Sequence, residues 1–405
     1  MVNWIKLTFS LLFLLVLSGC WDRIELNELS IVSGIAIEKG EEHKYKLTVE
    51  VINATELSKD AKGGNTPALV YYQEGNSISE LSDKMNIGLS RVLIYSHTRV
   101  IVIDEEVARE GVAEFLDFLE RTGEFRNDFN ILIAKDVKAS DILKITYAVQ
   151  RVPSLKLHAQ IEAFEKDWGG DPDVKLTDFI SAIVNKGRQP VAEAVTIRGN
   201  INKGQSIDNN KKVDPDARVE IVGLAVFSFD KLVGYLTVED IRNYLWTKKL
   251  KTTTLTIPCS ADNSGKYIDV KIVSAHSKKN VEWINDSPVI KVNISGDARL
   301  QGTQCIEDLE KLATYNQIEE STNQFIEEEI KRTIKKVQEK YGVDIFGFGE
   351  ELKRKNYKKY KELENNWDEQ FERAEVEVSA NIYIRRSGIR SKSFLTDYIN
   401  EQSNE

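Results

Sequence analysis

The chain opens with an apolar run, residues 7–17, that ends in Leu17-Ser18-Gly19-Cys20. Lys6 supplies the positive charge ahead of it, and the run has the length of a signal-peptide core, too short to span a bilayer. The pattern predicts export, removal of residues 1–19 and a cysteine at the first mature position. Such a cysteine accepts a thioether-linked diacylglycerol, with an N-acyl (palmitoyl) chain as an option. Two acyl chains anchor stably where a single chain binds only marginally, so Cys20 is read as a lipid anchor. What folds is then the chain beyond a short tether, residues 20–30, outside the cytoplasm and close to a membrane.

Without its leader the 405-residue chain still holds enough sequence for two or three cores. With 41% apolar residues, 23 Gly and only 7 Pro, burial can offset the ordering entropy, so a globular fold is predicted. Lys6 is the only ionisable residue removed, which leaves the mature chain more acidic than the formal −9 of the whole. An anionic surface repels such a chain, so attachment depends on lipid rather than on a basic patch. Cys259 and Cys305 form an even pair in a compartment where disulfides persist. A chain of this size needs no staple, so the pair is read as two buried free thiols rather than a disulfide.

Ile31, Ile35 and Ile37, then Leu47, Val49 and Val51, alternate around residues 38–43 and predict a strand pair. Residues 77–90 read as a helix and 100–103 as a buried β-branched strand, after which Asp104 caps a helix. Ala108, Val112, Phe115, Leu116 and Leu119 give that helix one apolar face, and Gly123 stops it. Residues 129–134 and 191–197 read as strands; 140–147, 157–168 and a stretch from Thr177 read as helices. The polar segment 199–217 reads as a linker or long loop, followed by a hairpin around Asp230-Lys231 and a helix over 238–246. Strands over 255–257, 267–272 and 289–294 precede a long helical tract that Gly342 breaks, then a helix over 350–369. Val376, Val378, Ala380, Ile382 and Ile384 alternate as a strand with one buried face. The predicted class is α+β, in three domains of antiparallel or mixed sheets packed with helices. Their bounds are 31–198, 199–250 (a small middle unit) and 251–390, with a polar tail over 391–405.

Several ordered segments together resemble one family, the lipoprotein C subunits of spore germinant receptors, Ger(x)C. Cys20-Trp21-Asp22 with Glu25 is similar to the family's mature start, and residues 96–103 running into Ala108-Arg109-Glu110-Gly111 resemble its central N-terminal segment. Gly223-Leu224-Ala225-Val226-Phe227 with Asp230-Lys231-Leu232-Val233-Gly234 resembles the start of its second unit. Asp344-Ile345-Phe346-Gly347-Phe348-Gly349, Trp367, Phe371 and Arg385-Arg386-Ser387-Gly388 follow in the family's order. The extended 199–217 loop is the main departure. The resemblance implies three α/β domains tethered to the outer surface of the spore inner membrane. It also implies two integral membrane partner subunits, a role in nutrient-triggered germination, and neither catalytic residues nor a cofactor. Whether this subunit itself binds the nutrient is left open.

Motifs for catalysis or metal binding are incomplete throughout the chain. His97 lies beside Ser96 and Arg99, but no G-x-S-x-G elbow accompanies it; His43, His158 and His276 show no metal-ligand spacing. Asp171 and Asp173 flank Pro172 as in a turn, rather than as an acid/base pair. Gly347-Phe348-Gly349 lacks a third glycine, and Glu350 and Glu351 would repel phosphate. Lys353, Arg354, Lys355, Lys358, Lys359 and Lys361, interleaved with Tyr357 and Tyr360, read as a solvated helix face, with anionic headgroups or an acidic subunit as the rival contact. Export argues against nucleic acid. The leading reading is a non-enzymatic scaffold subunit; the alternative is a solute-binding lipoprotein of an importer, which would need a longer tether and two parallel-sheet lobes.

Overall fold

A computed structural model describes residues 25–57, 65–169, 174–248, 250–259, 265–285, 287–305 and 311–386, together with Trp4, Pro172 and Leu309. The described residues form two sheets, of nine and four strands, consistent with the α+β class. The first sheet runs in the order β3-β2-β1-β5-β6-β7-β8-β9, with β4 (Val92–Ile94) paired to the start of β1 (Leu29–Lys39). Its centre is parallel: β1, β5 (Val100–Asp104), β6 (Asn130–Ala134) and β7 (Val191–Gly199). Every residue of β5 and β6 is buried, as a strand covered on both faces requires. The period of two sorts their side chains: Ile101, Ile103, Ile131 and Ile133 enter one core, Val100, Val102, Leu132 and Ala134 the other. Antiparallel pairs extend both flanks, β2 (Tyr45–Ile52) with β3 (Ala68–Gly75), and β8 (Ala217–Ser228) with β9 (Lys231–Leu236).

Asp104 caps a helix as its sequence position predicts, accepting the Glu106 N–H at 3.1 Å. The expected single helix is two, α1 (Glu105–Glu110) and α2 (Ala113–Arg121), and a contact from elsewhere makes the break. Asp230, in the β8–β9 turn, accepts the Val112 N–H through its carbonyl and the Ala113 N–H through its carboxylate. Gly111 has φ 132°, and a Cβ there would lie 2.6 Å from the Asp230 carboxylate, so glycine is required. The five apolar residues of the expected face are nonetheless all buried.

Segment 199–217 is folded rather than a linker. Gly199 pairs with Ala217 across the β7–β8 ladder, and the excursion between them is pinned by Asn209. The Asn209 amide donates to the carbonyls of Thr146 and Ala217 and accepts the Ala217 N–H. The expected boundary therefore falls inside a hairpin, and the segment read as a small middle unit contributes β8 and β9 to the first sheet instead of building its own.

Two helices flank this end of the first sheet: α3 (Leu176–Val184), which leads into β7, and α4 (Val238–Trp246), which leaves β9. The second sheet is β10 (Thr253–Pro258), β11 (Tyr267–Ile284), β12 (Ser287–Thr303) and β13 (Glu375–Arg386), the last parallel to β12. β11 and β12 run far beyond the apolar residues that announced them, because ladder bonds carry the polar stretch as well, Lys278 opposite Asn293 and Asn280 opposite Lys291. The 30-residue helix α5 (Leu312–Tyr341) lies along the open edge of β13. Its Glu319, Asn323 and Glu327, one turn apart, accept the N–H groups of Ile384, Ile382 and Ala380 at 2.6, 2.8 and 2.8 Å. Gly342 ends the helix in the left-handed region, φ 62°. The helix expected over 350–369 is three: α6 (Phe348–Lys355), α7 (Tyr357–Leu363) and α8 (Trp367–Glu372). Asn356 closes the first and caps the second.

The free-thiol reading of Cys259 and Cys305 is corrected: they form a disulfide, with Cα atoms 5.8 Å apart. Cys259 follows β10 and Cys305 follows β12, and Pro258 pairs with Tyr267 while the next residue of β11, Ile268, pairs with Thr303. Ladder register thus brings both thiols to one end of the sheet, a proximity that chain size does not report.

Glu50 on β2 is fully buried and accepts bonds from the Ser33 hydroxyl at 2.7 Å and from the N–H and hydroxyl of Ser154. Burial pushes its carboxyl from 4.5 up to about 7, against those bonds. The folded state therefore holds this proton more tightly than the unfolded chain, and the stability it contributes, complete below pH 4.5, is lost as pH rises through about 7. At 1.36 kcal/mol per pKa unit the loss reaches about 3 kcal/mol by pH 8. Part of that loss has already occurred at pH 5, so Glu50→Gln is expected to shrink the difference between unfolding free energies at pH 5 and pH 8 by about 2–3 kcal/mol. Denaturant titrations of both proteins at the two pH values measure it, and an unchanged difference would contradict the assignment.

Candidate functional site: a joint centred on Asp344

After α5 stops at Gly342 the chain dives into the core, and Asp344 is fully buried. One carboxylate oxygen accepts the N–H groups of Phe346 and Gly347, both at 2.9 Å. The other accepts the Gly349 N–H and the Trp367 indole N–H, also at 2.9 Å. These bonds wind Asp344-Ile345-Phe346-Gly347-Phe348-Gly349 into a tight turn that starts α6 and lock α8 against it. Phe346, Phe348 and Phe371 pack as an aromatic cluster beneath, with Tyr244 of α4 beside Phe346.

The first sheet meets this turn through the loop ahead of β7. The Gln189 N–H donates to the Asp344 carbonyl at 2.8 Å, and its side-chain amide donates to Asp368, which in turn accepts the Asp344 N–H. The Gln189 side-chain oxygen accepts the Phe229 N–H of the β8–β9 turn. Arg188 pairs with Glu350 at 3.2 Å, and Lys279 of β11 donates to the Phe346 carbonyl at 2.7 Å. Gly187 and Gly349 touch backbone to backbone: a Cβ on Gly349 would lie 2.6 Å from the Trp367 indole nitrogen and 2.7 Å from the Gly187 Cα. Gly349→Ala is expected to cost about 1–3 kcal/mol by overpacking, while Gly88→Ala, with open space around it, stays near neutral. Equal denaturation midpoints for the two variants would contradict a close-packed joint.

Burial raises the Asp344 carboxyl above the usual carboxylate range, opposed by the Gly349 and Trp367 bonds and by the charges of Lys248 and Lys279. Burial, with Lys279 and Arg188 nearby, holds Lys248 well below the ordinary lysine range; burial also lowers Lys279. All four bonds to Asp344 are spent on orienting the turn. The arrangement ties the two sheets together, Gln189 on the side of the first and Lys279 on the side of the second both bonding the Asp344 turn.

Three of the family-like segments converge here: the Asp230 turn, the Asp344 turn, and Trp367 with Phe371. Gly187-Arg188-Gln189, Lys248, Lys279 and Asp368 were missed. They come from separate loops and strands, and only Gly187 ahead of Pro190 hinted at a tight turn. Cys20, Trp21, Asp171 and Asp173 lie outside the described residues. His43, His97 and His276 are exposed and scattered, and the His158 ring bonds Asn130. Among the described residues no group of three or more His, Cys, Asp or Glu side chains is placed to hold a metal ion. In the basic stretch Arg354 and Lys355 pair with Glu351, Lys359 with Glu362 and Lys361 with Glu364, so much of its charge is neutralised locally. No helix among the described residues is long and apolar enough to cross a membrane.

Residues 22–197 match the family model of the spore germination protein N-terminal domain, and residues 222–388 match that of the spore germination B3/GerAC-like C-terminal region. Spore germination protein KC of Bacillus subtilis (strain 168) is 30% identical, over 94% of this chain and 95% of its own. Spore germination protein B3 of the same organism is 23% identical, over 95% and 98%. The crystal structure of the GerBC protein shares the fold, with a TM-score of 0.51 over 86% of this chain and 96% of that one, at 17% identity. The chain belongs to the Ger(x)C family of spore germination proteins.

Proposed function

We propose that the chain is the C subunit of a spore germinant receptor, anchored by lipid at Cys20 to the outer surface of the spore inner membrane. There it acts without catalysis, as a scaffold that couples two integral membrane subunits during nutrient-triggered germination. The observation that carries this is end-to-end similarity to spore germination protein KC, which leaves neither half of the chain unaccounted for. The Asp344 joint supports the coupling role, since it ties the two sheets through buried bonds rather than a flexible linker. The decisive experiment is an affinity pull-down of the tagged chain from detergent-solubilised spore membranes, read by mass spectrometry. Two multi-spanning partners are expected; an importer permease with its ATPase would overturn the proposal. Cys20→Ala is expected to move the chain out of the membrane fraction, and a variant that still takes up labelled lipid would refute the anchor.

A further inference from the structure

Beside the Asp344 joint, among α3, the start of β7 and the end of α4, lies a cavity of about 170 Å³. Val174, Pro190 and Leu245 give it apolar walls, and Arg188 and Lys248 bring two cations to its lining. Arg188 is paired with Glu350. Lys248 differs: it lies over the Tyr244 ring at 5.5 Å, yet among the described residues its ammonium has no hydrogen bond and no ion pair. The nearby carboxylates are engaged elsewhere, Glu350 with Arg188 and Asp344 with its four N–H donors, while Asp178, which also lines the cavity, is exposed at the start of α3 and accepts the Lys175 N–H. Lys279, with its ammonium on the Phe346 carbonyl, adds a third positive charge. Burial and the neighbouring cations disfavour the charged form of Lys248 more than the charges of Glu350 and Asp344 support it, and an anion bonded to it within the cavity would favour that form.

The cavity's size and lining limit what that anion can be. A dry cavity of about 150 Å³ accommodates benzene, so this one takes a body of roughly six to eight non-hydrogen atoms. The lining is mixed, charged at Arg188, Lys248 and Asp178 and apolar along Val174, Pro190 and Leu245, which suits a molecule with one charged end and a short alkyl body. We propose that the cavity binds a small aliphatic carboxylate, with the carboxylate on Lys248 beside Arg188 and the alkyl body against Val174, Pro190 and Leu245. Lys248 also lies against the Asp344 turn, 3.4 Å from where a Cβ on Gly347 would be. Occupancy would therefore bear on the joint between the sheets.

The test titrates the purified full-length protein in detergent with isobutyrate, and with isobutyramide as a neutral molecule of the same shape. Calorimetry and thermal unfolding are the readouts, at constant ionic strength set with chloride. Isobutyrate is expected to bind saturably and raise the unfolding midpoint, and isobutyramide to do neither. Lys248→Met is expected to weaken binding at least tenfold. Ala182→Phe, which fills the cavity from α3 without touching the cation, is expected to abolish it. Equal stabilisation by the amide, an effect that follows ionic strength alone, or unchanged binding in either folded variant would overturn the proposal.

Discussion

Asp344→Ala is expected to destabilise the protein by about 3–5 kcal/mol and to loosen both sheets together. The side chain is fully buried and, among the described residues, is the sole acceptor for three backbone N–H groups and the Trp367 indole. Bonds to a charged acceptor are individually worth about 1.5–3 kcal/mol, and removing the acceptor strands four donors away from water. They share one site, so their costs do not add in full. Asp344→Asn keeps the shape but turns an NH₂ group toward one pair of those donors, so its loss should be intermediate. Urea titrations followed by circular dichroism supply the magnitudes, and limited proteolysis reports whether residues 187–189 open with the 344–349 turn. A loss below about 1 kcal/mol for the alanine variant would mean that the turn holds its shape by packing alone.

Removal of the Cys259–Cys305 bridge should cost about as much by a different route. The bridge spans 46 residues, and the chain-entropy model assigns a closed loop of that length about 4 kcal/mol of restraint on the unfolded state. The double variant Cys259→Ser with Cys305→Ser avoids leaving a lone thiol and should unfold at lower denaturant, as should wild type in reductant. Intact-mass analysis with and without reductant tests the bond itself, through a two-hydrogen difference. Identical midpoints in oxidised and reduced protein would show that the second sheet gains nothing from the bridge.

What the residue pattern foretold was local. The β-branched run at 100–103 became a wholly buried central strand, Asp104 became a cap, and Gly342 a stop, because each outcome is decided within a few residues. Sequence reasoning failed where distant chain decides. Nothing between Glu105 and Arg121 records that Asp230 will take the Val112 and Ala113 N–H groups and split the helix. The polar middles of β11 and β12 carry no strand signal of their own and are held by their partners. The candidate joint was half legible: Gly342 and the family-like 344–349 segment stood out, whereas Arg188, Gln189, Lys248 and Lys279 are ordinary surface-type residues until the fold half-buries them. The two cysteines were visible as a pair, but their meeting depends on ladder register.

The way α5 lies on β13 has a mechanical corollary. Acceptors four residues apart on a helix recur about every 6.0 Å, and alternate N–H groups along a strand about every 6.6–6.8 Å. Glu319, Asn323 and Glu327 therefore engage Ile384, Ile382 and Ala380 like the teeth of a rack. The near match of the two repeats lets all three contacts form at once, and a slide of the helix along the strand would have to break them. A load applied along α5 is thus shared among three bonds to the edge strand of the second sheet instead of falling on one.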